Sequence, residues 1–516
     1  MGNLKTVGDL MHASRRKFLH GLGAATGAIA IPACSPADNV ATPQATSSVD
    51  HLELDIVAQA EMIRTGQISP LEVLDATIDR IERLNPILNA VVATDYDAAR
   101  DLAKQQTEAL AGGRAPNGAL YGVPYLVKDL AGVAGMPMDQ GTRMFQGNIA
   151  NQDDPTVAAL RAEGMNMVGK TATPEFGLIG STETVLHGPC KNPWSLEHSP
   201  GGSSGGAGSV IAGGMVPAAS GSDGGGSIRI PASNCGVFGL KPSMGSPRGS
   251  DQGLPMGIAV RMALSRTVRD SALLMSIYEN PGVNAIGYVQ EPSTKRLKVG
   301  LLIDNHFGNA PHADVAASIQ ATAELLQGLG HHVDEYKFMI DGARMMDEFM
   351  SIWTQGPRQA RDMITAEGRD PSALLEPWTL GLAAMADERG PTAVQAAIQW
   401  LTEALANPAI FGDFDVLLSP VLNTPPAKTG EQSPVAPFDE MYPKVLDYVS
   451  YTPLANLAGY SAMSVPLGFS QEGLPIGSHF MAPKGGDALL FGLAYELEQA
   501  QPWKGNWAPH SAFAQA

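Results

Sequence analysis

Residues 201–227 read GGSSGGAGSVIAGGMVPAASGSDGGGS, and both the fold and the chemistry of the chain turn on this stretch. Two serines, Ser203 and Ser227, sit among glycines, which open backbone conformations closed to other residues and let a ligand come close to main-chain N–H groups. Composition alone would suggest a flexible Gly/Ser linker. Val210, Ile211, Ala212, Met215, Val216, Pro217, Ala218 and Ala219 argue against it, because a solvated linker carries no such apolar run. The pattern predicts a small-residue helix over Ala207–Gly213 packed under a sheet, a short strand near Val216–Ser220, and a second glycine turn leading to Ser227.

Upstream, YGVPYLVKDL (121–130) places Lys128 at the end of an apolar, strand-like run. Burial there favours the neutral amine, which is a base, and a serine is a nucleophile in need of one.

Working outward, hydrophobic spacing over Asp55–Leu84 gives a helical hairpin broken at Gly66–Pro70, with Ser69-Pro70 as cap and N1 proline of its second arm. Strands are expected at Asn89–Ala93, Gly122–Val127, Met165–Gly169, Leu297–Ile303, His331–Tyr336, Asp415–Ser419, Ala462–Gly468 and Leu474–Met481. Helices are expected at Asp97–Leu110, from Asp154-Pro155-Thr156 to Gly164, at Ala313–Leu329 and at Asp487–Ala500. Alternating strands and helices signal a sheet covered on both faces. No internal repeat is evident. The expectation is a single large α/β/α domain over residues 51–516 with a mixed central sheet and a Met- and Trp-rich helical insertion at about 341–407.

The chain has 516 residues with a formal charge of -18 and a pI near 5.0. No dense basic stripe follows the N-terminus, so nucleic acid is not an expected partner. Three cysteines, Cys34, Cys190 and Cys235, form no C-x-x-C pair, and neither HExxH nor a comparable ligand cluster occurs, so no metal and no cofactor is implied. Residues 1–33 read as an export signal: Ser14-Arg15-Arg16-Lys17-Phe18-Leu19 is a twin-arginine motif, followed by an apolar run too short to span a membrane. Residues 34–50 read as a polar tether. Ile31-Pro32-Ala33-Cys34 resembles a lipoprotein box that would anchor the protein to a membrane through Cys34; ordinary cleavage near Ala33 or Ala37 is the alternative. Either way the location is the periplasm or cell envelope. The oligomeric state stays open, a homodimer included.

Gly201-Gly202-Ser203-Ser204-Gly205 fits the G-x-S-x-G elbow of α/β-hydrolases. An elbow needs an apolar strand before its serine, whereas Lys191–Pro200 (KNPWSLEHSP) is polar and carries two prolines. Lys428-Thr429-Gly430 supplies the K-T-G of penicillin-binding enzymes, yet the S-x-x-K at Ser14–Lys17 lies in the export signal.

Taken together, GVPYLVKD, GKTATPEF, NPW with SPGGSSGG, GSDGGGSIRIPASNCGVFGLKPS, SVPLGF and GLPIG resemble the amidase signature family across essentially the whole mature chain. The resemblance implies a Ser-cisSer-Lys triad: Ser227 as nucleophile, Ser203 as the bridging serine whose preceding peptide is cis, and Lys128 as base. It implies an oxyanion hole from the N–H groups of Gly224, Gly225, Gly226 and Ser227, with Ser204, Asp223 and Arg229 in support; a buried Asp223–Arg229 ion pair is as good a reading as a direct catalytic role. Lys170 and Lys241 are taken as structural. The details look nearest to the bacterial branch around 6-aminohexanoate-cyclic-dimer hydrolase and broad-specificity amidases, with a small-molecule amide as substrate and carbamates or esters as alternatives on the same triad. Pocket walls are expected from Met136–Phe145, Glu175–His187 and Arg344–Trp353.

Overall fold

The computed structural model describes residues 53–114, 116–249, 257–280, 282–283, 285–406 and 410–514. The export signal, the tether and Cys34 lie outside these residues.

The helical hairpin forms as its caps dictate. Asp55 caps Ile56–Arg64, and Ser69 and Glu72 form a reciprocal capping box on Pro70–Leu88, satisfying first-turn N–H groups that have no intrahelical partner. The second arm runs four residues past the expected Leu84, with Pro86 held inside its last turn.

The strands are β1 (Val91–Thr94), β2 (Pro124–Lys128), β3 (Asn166–Thr171), β4 (Glu183–Thr184), β5 (Gly188–Pro189), β6 (Ala218–Asp223), β7 (Phe238–Lys241), β8 (Val260–Ser265), β9 (Lys298–Leu301), β10 (His332–Glu335), β11 (Val416–Pro420), β12 (Ser461–Phe469) and β13 (Pro475–Ala482). Eleven of them make one sheet in the order β1-β3-β2-β6-β8-β7-β12-β13-β11-β9-β10, and β4 pairs with β5 separately. β3, β2 and β6 are parallel, as are β11, β9 and β10, while the strands between β6 and β11 alternate in direction. Every residue of β2, β3, β11 and β13 is buried, the pattern of strands covered on both faces. The sheet is therefore mixed and wrapped by helices, as expected. β7 and β8, which join its two halves, have no counterpart in the sequence reading: FGLK carries a central glycine, and VRMALS shows no clean alternation.

The glycine stretch is packed core rather than linker. Helix Gly205–Ala212 is wholly buried. A Cβ on Gly206 would stand 2.4 Å from the Ala172 nitrogen, and one on Gly208 2.8 Å from Cys235 Sγ. The glycines let this helix approach β3 and the helix Arg229–Cys235 more closely than any side chain allows. β6 begins two residues later than expected and runs on to Asp223, so its end, like that of β2, lies at one edge of the sheet.

The insertion resolves into five helices, Gly342–Trp353, Gln355–Ala366, Pro371–Leu374, Pro377–Arg389 and Ala393–Leu405. Its Met345, Met346, Phe349, Met350, Trp378 and Leu401 form a second core with Leu417, Leu454 and Met481 of the main body.

Candidate active site

The site forms where the parallel strands β2 and β6 end, the usual place for ligands in open α/β sheets. Lys128 is the last residue of β2. Its amide N–H donates to Ser220 Oγ (3.0 Å), and its Nζ lies 2.7 Å from Ser203 Oγ, 2.9 Å from Ser204 Oγ and 3.0 Å from Ser222 Oγ. The residue is 1% exposed. Burial pushes its pKa well below the ordinary lysine value; the Asp223 charge works against that shift and Arg261 adds to it. An unpaired buried ammonium is costly, so the side chain favours the neutral amine.

Ser203 and Ser204 lie just before helix Gly205–Ala212, and the Gly202–Ser203 peptide is cis. Across from them, a Cβ on Gly177 would come within 3.0 Å of Ser203 Oγ, so glycine there keeps space open beside the hydroxyl. The Ser204 hydroxyl donates to the Ser222 carbonyl and accepts the Ser222 N–H, both at 3.3 Å. With its proton committed, Ser204 accepts from Lys128 Nζ. Ser203, at 2.7 Å, is the nearest of the three hydroxyls to the amine.

Ser227 is 7% exposed and borders a cleft together with Gly202 and Gly225. Its carbonyl accepts the Ser204 N–H (3.2 Å), which ties the two serine turns together. Among the described residues no hydrogen bond joins Ser203 Oγ to Ser227 Oγ.

The turn before Ser227 is built around Asp223. Its carboxylate takes the Gly226 N–H (2.8 Å), the Ile228 N–H (3.2 Å) and Asn456 Nδ2 (2.9 Å), and meets Arg229 through Nη2 (2.9 Å) and Nε (3.0 Å). Asp223 and Arg229 are both fully buried. Burial alone would raise the Asp223 pKa, but the bidentate guanidinium overcomes it and holds the carboxyl well below its usual range. The remaining Arg229 donors reach the Thr452 carbonyl (2.9 Å) and Asn456 Oδ1 (2.7 Å), and His479 Nε2 lies 3.0 Å from Nη1. This is the buried ion pair, staking the turn from beneath.

One expectation is corrected. Gly226 (φ +128°) spends its N–H on Asp223, so it is not a free donor to a ligand. Of the four residues expected at the oxyanion hole, Gly225 and Ser227 line the cleft; Gly224 adjoins them, packed under Trp353.

Lys170 lies 3.2 Å from Asp129 and donates to the Ala131 carbonyl (2.7 Å). Lys241 donates to the Pro242 carbonyl (2.8 Å), and burial, with the Arg229 charge, lowers its pKa to about 7. Both are engaged away from the serines. Ser220 and Ser222 were missed by the sequence reading, although their period-2 spacing in a strand beside Lys128 is a legible signal. Asn456, Thr452 and His479 carry no such signal, because more than two hundred residues separate them from Arg229.

No strand precedes Ser203. Residues 191–200 are turns and isolated bridges, and the base beside Ser203 is a lysine, so the α/β-hydrolase elbow is excluded.

The pattern of the Amidase family matches residues 72–491. This chain belongs to the amidase family. A 6-aminohexanoate-cyclic-dimer hydrolase from Pseudomonas sp. (strain NK87) is 32% identical over 488 residues, covering 89% of this chain and 96% of that protein. AmiC of Mycobacterium tuberculosis (strain ATCC 25618 / H37Rv) is 34% identical over 469 residues, covering 89% and 97%. The solved 6-aminohexanoate cyclic dimer hydrolase complexed with substrate superposes with a TM-score of 0.79 at 29% identity, over 89% of this chain and 99% of that one. A bacterial aryl acylamidase of the amidase signature family gives 0.77 at 28%, over 87% and 96%. The chain is an amide-hydrolysing enzyme with the amidase signature fold.

Proposed function

We propose that this amidase cleaves a carboxylic amide through a serine acyl-enzyme, with Ser227 as nucleophile, Ser203 as proton relay and Lys128 as base. The observation that carries the reading is the buried Lys128 amine 2.7 Å from Ser203 Oγ, in the residue next to Gly202, which lines a cleft together with Ser227. Neutral Nζ accepts the Ser203 proton while Ser203 accepts that of Ser227, and Ser227 Oγ bonds to the substrate carbonyl carbon. The carbonyl oxygen becomes the oxyanion and is held by the N–H groups of Gly225 and Ser227, with Gly224 beside them. As the C–N bond breaks, the proton returns from Lys128 through Ser203 to the departing amine. Water then repeats the cycle on the ester, releasing the carboxylic acid and restoring Ser227.

The Ser227→Ala variant tests this. Turnover and covalent labelling by a serine-reactive fluorophosphonate should both vanish; labelling retained by the variant rejects Ser227 as nucleophile.

A further inference from the structure

The cleft over Ser227 is apolar. Its lining includes Ile179, Ile230, Phe349, Trp353, Trp378 and Val445, and among the described residues no Asp, Glu, Lys, Arg or His takes part. Met136–Phe145, expected as a wall, contributes nothing to it, whereas helix Phe438–Tyr448, absent from the sequence reading, supplies Tyr442 and Val445.

The aromatic groups are fixed, and both indole N–H groups are already used. Phe349 and Trp353, one turn apart on helix Gly342–Trp353, stack at 5.2 Å with 27° between planes. They lie directly on the turn before Ser227: a Cβ on Gly225 would meet Phe349 Cζ at 3.1 Å, and one on Gly224 would meet Trp353 Cζ3 at 3.1 Å. The indole N–H groups of Trp353 (3.4 Å) and Trp378 (3.2 Å) both point to the Leu178 carbonyl. The Tyr442 hydroxyl is engaged with Arg389, which is itself bound to Asp347. The Phe and Trp rings therefore offer the cleft carbon surface and no spare donor. The open space is small, about 50 Å³.

We infer that the substrate is a neutral amide bearing one small apolar group, a single aromatic ring or a short branched alkyl chain, directly beside the scissile bond, and that Trp353 and Trp378 enforce this choice. A carboxylate or ammonium in that position loses its water and finds no counter-charge in return. An apolar group instead gains the face of a fixed aromatic pair. The inference rests on Ser227 being the attacking group.

Two series of p-nitroanilides and anilides test it on the purified chain. One varies the acyl side as isobutyryl, benzoyl, succinyl and 4-aminobutyryl with p-nitroaniline constant; the other varies the amine side, neutral against charged, with acetyl constant. In at least one series the neutral members should exceed the charged ones in kcat/KM by on the order of a hundredfold or more, and that series identifies which side of the bond the cleft holds. In the same series Trp353→Ala should cut the preference for benzoyl or anilide at least about tenfold by raising KM. Neutral and charged members within about threefold of each other in both series overturn the inference, as does labelling of Ser227 without turnover of any neutral member. Fluorophosphonate labelling separates the two levels. Labelling that depends on Ser227 with flat discrimination sinks the substrate class alone, and labelling indifferent to Ser227→Ala sinks the underlying mechanism.

Discussion

Lys128→Met should abolish turnover and at the same time alter stability in a way that depends on pH. Lys128 is buried, with its pKa well below 10.5 in the fold, whereas in the unfolded chain it is exposed and protonated up to about pH 10.5. Between those two values the unfolded state binds one proton more than the folded state, so stability rises with pH by about 1.4 kcal/mol per unit. Sign follows from this: the burden of keeping the amine neutral is heaviest at low pH and fades as pH approaches the unfolded value. Methionine carries no such burden. It also leaves Ser203, Ser204 and Ser222 without their shared partner, a cost of about 1 kcal/mol per lost hydrogen bond that does not vary with pH. The stability of Lys128→Met relative to the parent should therefore drop by up to about 1.4 kcal/mol from about pH 8 to about pH 9, whatever its starting offset. Urea denaturation of both proteins at the two pH values measures it, since every other titrating group is common to the pair. A difference independent of pH would mean that the lysine holds its proton in both states, and the base assignment would fall with it. The loss of turnover should be on the order of a hundredfold to ten-thousandfold or more, the usual contribution of a positioned base.

Three further outcomes are expected. Glu376 begins the helix that carries Trp378, and burial together with the neighbouring Glu175 charge raises its pKa to about 8; a raised acid stabilises most below its unfolded value and loses that contribution as pH climbs to the folded one, so Glu376→Gln should gain thermal stability over the parent between about pH 5 and about pH 8, and a gap unchanged over that range would refute the burial argument. Gly226→Ala should destabilise the fold by about 2–4 kcal/mol and suppress activity, because a Cβ at φ +128° would stand 2.3 Å from Thr452 Oγ1; a melting temperature equal to the parent's would show that the turn can relax. For export, intact-mass analysis of the mature protein should find a start at or just before Cys34 or near Ala37, and an N-terminus still carrying residues 1–33 would remove the twin-arginine proposal.

The legible and illegible parts of the site divide by what each residue has to do. Lys128, Ser203 and Ser227 have chemistry that few other residues supply, and the glycines around them meet backbone demands only glycine meets: a Cβ on Gly202 would press within 2.3 Å of the Ser181 carbonyl, one on Gly206 within 2.4 Å of Ala172. Such residues stand out in a single sequence. Ser69-Pro70 and Asp154-Pro155 are equally explicit, and their helices start where those caps place them. The Gly226 amide was misjudged because glycine content advertises open backbone without saying which way an N–H points. Its direction is fixed by Asp223, whose own grip on the turn depends on Arg229, Asn456 and, through Arg229, the carbonyl of Thr452, contacts that only the closed sheet brings within reach.

The roof over Ser227 obeys a different rule. Phe349 and Trp353 fall in the segment Arg344–Trp353 expected as a wall, but Trp378 and Val445 are apolar residues that in sequence cannot be told from the ordinary core residues Met345 or Leu382. What makes them a pocket is where the helices dock: Gly224 and Gly225, by lacking side chains, admit the Phe349–Trp353 pair onto the catalytic turn, and one carbonyl, Leu178, absorbs both indole N–H groups. On the proposed mechanism the same glycines serve two ends, keeping backbone donors accessible at the reacting carbon and bringing an aromatic wall against it. A larger residue at position 225 would displace Phe349 together with the proposed oxyanion donors, so on the proposed mechanism chemistry and choice of substrate are coupled from that side of the cleft. From the other side, through Trp378 and helix Pro377–Arg389, the wall can be recut with the triad left in place.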